Sequence, residues 1–353
     1  MAMIDQTSVK TIRIGLIVGD STSASHQLAA LSSLSGVELV AVSGDDPIRV
    51  RAEAARFHIP ECYEDYRQML RRCDLDAVVI AATLGNRHSA AIAAAERGVH
   101  ILCGAPMARS AAEARDMLRL ARDTGVCHAV GYADRYYPER ARVKELVDAG
   151  YLGDLQSVNV TAYRVAPVRH GTVDRDLTAL RSLGSAYADF LRWCFGDIHA
   201  VAGATAHDGA RVAGDNFGVV MRFACGAVGT AHVSTTSPVS LGDEVVAIGT
   251  DGVLALRGDG RVFGTRRHTA SLEPIAVAAA ADASSSQSGP GERRRRALSA
   301  LTGDWLRTIG DGTVADRMPT FDDGVKALEV VDAVARSQEL SRWVDLSGRR
   351  WPH

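Results

Sequence analysis

No two cysteines in this sequence stand at Cys-x-x-Cys spacing: Cys62, Cys73, Cys103, Cys127, Cys194 and Cys225 are scattered singly. Neither a disulfide framework nor a zinc site is indicated, and no metal is expected. Isolated thiols suit a reducing cytoplasm. A run of the ~18 to 20 consecutive apolar residues that a membrane span requires is missing too. The opening MAMIDQTSVK has no apolar signal core, so a protein of the cytoplasm, with no membrane partner, is expected. An excess of one charge sign is also lacking. At a formal net charge of -2 the chain has no bulk attraction for nucleic acid, and no such partner is expected.

What is present is ample material for cores. At 353 residues, 46% hydrophobic and 23% charged, the chain exceeds what one core serves and should form two domains without staples. Apolar β-rich runs at residues 11–18, 38–43, 77–82, 100–103 and 127–131 alternate with helical patterns at 28–34, 48–57, 89–97 and 111–124. Such alternation implies an α/β domain, a Rossmann-like doubly wound parallel sheet, over residues 1–131.

Over residues 132–353 the period changes. After a helix at 139–149, strand candidates with period-two character stand at 156–162, 201–206, 217–223, 227–234, 245–249 and 253–257, joined by turns such as Cys225-Gly226 and Asp251-Gly252. This predicts an α+β domain with an open, mainly antiparallel sheet and one interrupting helix at 184–195. A final helix at 322–340 is expected to pack back on the first domain. The Ala/Ser tract at 278–288 reads as a loop, and the charge run Glu292 to Arg296 as a solvated helix start. Strands with one face on local helices and another left apolar predict a homodimer or homotetramer built on the sheet.

Several blocks in order resemble the Gfo/Idh/MocA family. They include Val37 to Val42 with Pro47, Leu75 to Thr83 with His88, and Val99 to Pro106. Gly131-Tyr132 through Pro138, Gly150-Tyr151-Leu152-Gly153, Asp189 to Gly196, Gly249 to Gly252 and Asp323 to Glu329 continue the match, which runs from Ile12 to about Leu346. The resemblance implies a Rossmann domain, a second domain whose open sheet forms oligomer contacts, and an NAD(P)-dependent dehydrogenase of sugars or cyclitols.

The cofactor positions depart from that pattern. A dinucleotide fingerprint places glycines after the first strand for a tight turn and close approach of the pyrophosphate. Aligned on Ile14 and His26, those glycines become Val18, Asp20 and Ser23. Asp20 sets a carboxylate where a diphosphate would sit; equally, Asp20 or Ser21 caps the following helix. The acid at the end of the second strand is replaced by Gly44, with Asp45 one place on. The expectation is that no cofactor is required, and that NAD(P), if retained, binds weakly through Gly19, Ser21, Thr22, Asp45 and Thr83.

The resemblance also implies a catalytic lysine and an Asp and a His spaced four apart. Here these positions read Ala105, Ser182 and Ala186. None of the three serves unaided as a base near neutral pH. What surrounds them is polar: Arg164, His170, Arg181 and Tyr187 are the catalytic candidates, and His88, Asp134, Arg135 and Tyr136 the pocket candidates. His88 either faces the site or caps the helix starting near Ser89. Arginines and a histidine suit a small anionic substrate. Cys103 is either a nucleophile or an inert strand thiol. The expected function is a cofactor-independent lyase, isomerase or cyclase on a small anionic or sugar-like metabolite. The alternatives are a divergent NAD(P)-dependent oxidoreductase and a non-catalytic sensor or partner subunit.

Overall fold

Strand β1 (Ile12–Val18) is a nearly unbroken apolar run, and β4 (Ala77–Ala81) is buried at every position. Such strands belong in the middle of a parallel sheet covered on both faces. The computed structural model describes residues 11–19, 22–165, 177–206, 215–267, 271–277 and 289–346. They fall into two units, described separately. The first comprises Met1–Gly104, Asp116–Gly131 and Pro290–Thr320, and the second Ala105–Arg115, Tyr132–Gly289 and Phe321–His353.

In the first unit α1 (Thr22–Leu31), β2 (Val37–Gly44), α2 (Pro47–Phe57), β3 (Glu61–Tyr63) and α3 (Tyr66–Arg72) follow β1. After β4 come α4 (Leu84–Ala95), β5 (His100–Cys103), α5 (Ala111–Asp123), whose first five residues count with the second unit, and β6 (His128–Val130). The six strands are ordered β3-β2-β1-β4-β5-β6 and all pairs are parallel. Successive strands therefore run outward from β1 to β3, then cross back to β4. The reversal between β1 and β4 is the switch point where such sheets open a crevice at their carboxyl ends. Helix α4 begins at Leu84, five residues before the expected start. Its first turn, Leu84-Gly85-Asn86-Arg87, hides its periodicity behind a glycine and two polar residues.

After Ala105–Arg115, the second unit continues with a 3-10 turn at Ala133–Tyr136 and helix α6 (Pro138–Asp148). Its strands are β7 (Leu155–Tyr163), β8 (Ile198–Thr205), β9 (Asn216–Phe223), β10 (Val228–Ser234), β11 (Gly242–Gly249), β12 (Gly252–Arg257), β13 (Val262–Arg266) and β14 (Glu273–Ile275). A π-helical turn at Leu180–Gly184 leads into α7 (Ser185–Phe195) before β8. The chain then contributes α8 (Pro290–Asp311) to the first unit, and ends the described part with α9 (Phe321–Leu340) and β15 (Val344–Asp345) in the second. The nine strands are ordered β14-β13-β12-β11-β7-β10-β9-β8-β15, antiparallel except for β7 with β10.

Helix α9 lies on β8 and against α7, and it also meets the start of α5, where Ala111 N–H donates to Asp332 Oδ2 at 2.8 Å and Arg115 pairs with Glu329 at 2.6 Å. A further segment, α8, returns to the first unit and packs along α1, with Ser33 Oγ 3.4 Å from Ser299 Oγ. Its apolar residues Leu298, Leu301 and Trp305 are buried, so the arginine-rich start masks an amphipathic helix. The outer face of the large sheet is also more polar than expected. Thr230 donates to Asn159, and His232 bridges Tyr163 and Asn216, beside exposed Val220 and Val228.

Candidate functional site

At the carboxyl edge of the six-stranded sheet two glycines let strand ends crowd together. Gly19 N–H donates to Ala81 O at 3.1 Å, and a Cβ at Gly19 would lie 2.5 Å from the Thr83 nitrogen. A Cβ at Gly44 would lie 2.7 Å from Val18 O. That contact explains why no acid stands at 44: a side chain has no room there. The carboxylate is displaced one residue, to exposed Asp45, which accepts from Asn86 Nδ2 at 3.1 Å. Asp46 is used structurally, capping α2 through Ile48 N–H and Arg49 N–H at 3.0 and 3.2 Å. Thr83 stands half-buried at the start of α4 and makes no cap there. Thr22 opens α1, while Asp20 and Ser21 lie outside the described residues.

These features fit a dinucleotide. The crevice is at the switch point, the backbone at Gly19 is bare, and an acid projects from the end of β2 where ribose hydroxyls are bound. His88 sits inside α4, not at its cap, with Nε2 4.0 Å from Asp116 Oδ2. Cys103 is fully buried, which pushes its thiol up to about 12 and makes it an inert strand residue.

In the second unit, two of the four catalytic candidates converge on a residue the sequence reading missed. Tyr187 Oη donates to Asp243 Oδ2 at 2.7 Å, and Arg164 Nη2 donates to the same oxygen at 2.7 Å. Arg140 Nη2 lies 3.7 Å from Asp243 Oδ2 and 3.3 Å from Asp134 Oδ1. Sheet register builds this cluster. Asp243 opposes Ala162 in the β7–β11 ladder, one pair from where Tyr163 hands the chain on to Arg164. Burial raises the Asp243 carboxyl, but Arg164, the Tyr187 hydroxyl and Arg140 outweigh it and hold the group below its usual range. Burial and the Asp243 charge keep the Tyr187 phenol protonated. No motif marks Asp243 or Arg140 in the sequence; only Gly242, which opens β11 at a positive φ, hints at the first.

The other candidates are placed elsewhere. Arg181 is in the π-helical turn, where its charge acts on the Asp332 carboxyl of α9. His170 lies outside the described residues. Arg135 is 3% exposed and committed to a buried ion cluster, with Nε 2.9 Å from Asp189 Oδ2 and Nη2 2.8 Å from Asp323 Oδ1. Burial pushes Asp189 up to about 6, against the pull of Arg135. Tyr136 is buried, and Asp134 holds Arg140. Ser182 spends its hydroxyl on Thr178 O at 2.8 Å, and Ala105 and Ala186 are half-buried.

Residues 12–132 match the profile described as "Oxidoreductase family, NAD-binding Rossmann fold", and residues 141–255 match the GFO/IDH/MocA C-terminal domain. The chain belongs to the Gfo/Idh/MocA family of oxidoreductases. It is 26% identical to D-apiose dehydrogenase of Paraburkholderia graminis, over 96% of this chain and 91% of that protein. It is 24% identical to inositol 2-dehydrogenase of Acidothermus cellulolyticus, over 93% of each. Its fold is that of levoglucosan dehydrogenase solved with NADH and L-sorbose, at a TM-score of 0.82, 22% identity, and coverage of 96% and 99%.

Membership corrects two expectations, the cofactor-independent lyase, isomerase or cyclase and the dispensable cofactor. The matched first domain is an NAD-binding one, and the similar proteins named above are dehydrogenases. The physical reason lies in how such a site is made. Strand order, the bare backbone at Gly19 and the acid at 45 all survive the loss of glycines at 18, 20 and 23.

Proposed function

We propose that this protein is an NAD-dependent oxidoreductase acting on a hydroxyl group of a sugar or cyclitol. The observation that carries the reading is the carboxyl edge of the first sheet, with its switch point, Gly19 and Asp45, within the segment that matches an NAD-binding profile. The substrate class is supported by the D-apiose and inositol dehydrogenases among its relatives. Gly19 and Thr83 would flank the dinucleotide, and Asp45 would bind ribose hydroxyls. When bound, the nicotinamide accepts or gives the hydride.

The chain's own residues bind, orient and handle the proton. Ala105, Ser182 and Ala186 stand where family members carry Lys, Asp and His, and none of them titrates near neutrality. No acceptor at those three places takes the proton of the oxidised hydroxyl. Losing such a group costs on the order of 10²- to 10⁴-fold in rate, so slow turnover is expected. The other lysines of the described chain do not substitute, since Lys144 pairs with Asp148 and Lys326 lies 3.5 Å from Asp197. We also infer a cytoplasmic setting, supported by six free cysteines; no described helix is long and apolar enough to cross a membrane.

Titration calorimetry of the full chain with NADH and NADPH tests the reading. NADH should bind with a dissociation constant of about 1 to 100 µM. An absence of binding by either dinucleotide at about 1 mM would refute it.

A further inference from the structure

The cluster around Asp243 is better built than a surface ion pair requires. Tyr187 is 4% exposed and the Arg140 side chain 9%, so a phenol and a guanidinium have been taken out of water to support two groups that reach it. Those two are Arg164 and Asp243, with side chains 40% and 21% exposed. Arg140 packs over the Phe190 ring at 4.6 Å, yet its buried Nη1 has no hydrogen-bond partner. A buried N–H left unmade is costly unless something else accepts from it.

Charge balance decides what that something is. Among the described residues two guanidiniums, Arg140 and Arg164, face the carboxylates of Asp134 and Asp243, and Glu139 adds its negative charge at Arg140, so this cluster has no net positive charge to offer an anion. The anionic substrate suggested by counting arginines assumed free arginines. An incoming carboxylate or phosphate could only accept, and would approach Asp243 as closely as it approached Arg164. A hydroxyl both donates and accepts. It can give its proton to Asp243 while taking one from a guanidinium, and a neighbouring hydroxyl can repeat the exchange.

We propose that Arg164 and Asp243, held by Tyr187, Arg140 and Asp134, form a clamp for adjacent hydroxyls of an uncharged polyol. The proposal rests on the oxidoreductase reading and supplies the substrate-orienting groups that Ser182 and Ala186 do not. Asp243 and Arg164 bind; Tyr187 and Arg140 position them. The sequence position supports this role, because Tyr187 directly follows Ala186 on the same helix.

Saturation-transfer NMR on the full chain, with and without NADH, tests it with inositol, D-xylose and levoglucosan as uncharged probes and D-xylonate and D-glucuronate as acidic ones. At least one uncharged probe should bind, and more tightly than either acid. Its affinity should fall about tenfold or more in Arg164→Gln and in Asp243→Asn, the loss expected for a hydrogen bond to a charged group. Arg164→Lys, which keeps the charge but not the fork, should fall between. The NADH dissociation constant should stay within about twofold throughout, which separates the clamp from general damage to the fold. Tighter binding of the acids, no uncharged probe bound at about 50 mM, or wild-type affinity in both variants would overturn the proposal. Because the probes are read without turnover, a chain that binds no dinucleotide would defeat the oxidoreductase reading while the probe comparison still judged the clamp.

Discussion

Replacing Arg135 by methionine should be among the most destabilising single changes in this chain. Arg135 is 3% exposed, grips the fully buried Asp189 with two nitrogens, and reaches Asp323 as well. Removing the guanidinium strands a carboxylate in the interior, which costs roughly 3 to 5 kcal/mol. For a domain of this size that corresponds to a drop in Tm of about 6 to 20 °C. The double variant Arg135→Met with Asp189→Leu should recover most of the loss, since an apolar pair of similar volume replaces a buried ion pair at little cost. Asp323 is 27% exposed and can turn to solvent. Acidity supplies a second reading. The folded-state value of Asp189, about 6, lies above its unfolded value near 4. Its ionisation therefore opposes folding, a penalty absent below about pH 4 that grows until pH passes about 6. Without Arg135 that penalty is larger, so the single variant should lose most at pH 8 and least at pH 5. Urea denaturation followed by circular dichroism at both pH values measures this. A loss below about 1 kcal/mol at pH 8, or a double variant no better than the single one, would refute the argument that Arg135 offsets the burial of the Asp189 carboxylate.

Four further outcomes are expected. Ala105→Lys should raise kcat for NAD-dependent oxidation about tenfold or more; an unchanged or lower kcat would mean that the proton is taken elsewhere. Asp45→Ala should weaken NADH binding about 10- to 100-fold by calorimetry, as expected for lost ribose bonds to a charged acceptor. Gly44→Asp, which restores the family's acid in place, should lower Tm because its Cβ meets Val18 O at 2.7 Å; a stable variant with tighter NADH binding would contradict the steric argument. Polyol affinity should stay flat from about pH 8 to 5 and fall only below the usual carboxylate range near ~4, since Asp243 is held below its ordinary value; a loss near neutrality would assign the clamp to another group.

The parts of the fold legible in the sequence are those written in apolar runs. The strands at Ala77–Ala81 and His100–Cys103 are apolar enough to announce themselves, and so is the β10 alternation. Glu61–Tyr63 is a three-residue edge strand with too few residues to show a period, and it went unseen. The site was less legible, because polarity alone does not say where a side chain is committed. Arg135 and Arg164 look alike in sequence, but one is paired to a carboxylate 54 residues away in the interior and the other stands at the mouth of a clamp. Asp243 lies before the apolar core of its strand, and only register with β7 gives it a role. The glycine losses at 18, 20 and 23 were plain, yet their weight was overestimated, because the close approaches at Gly19 and Gly44 are visible only in three dimensions.

The placement of α8 bears on how the chain can be made and cut. The first unit takes in Pro290–Thr320, so its last helix is synthesised long after its sheet. At roughly 5 to 20 residues per second, the ~160 residues between β6 and α8 leave the nascent α1 surface without its cover for about 10 to 30 seconds. A fragment ending at residue 131 would reproduce that unfinished state permanently, with the partners of Leu298, Leu301 and Trp305 open to water. The dinucleotide unit is therefore one that a proteolytic nick or a premature stop near residue 280 would disable, although every strand of its sheet had already been built.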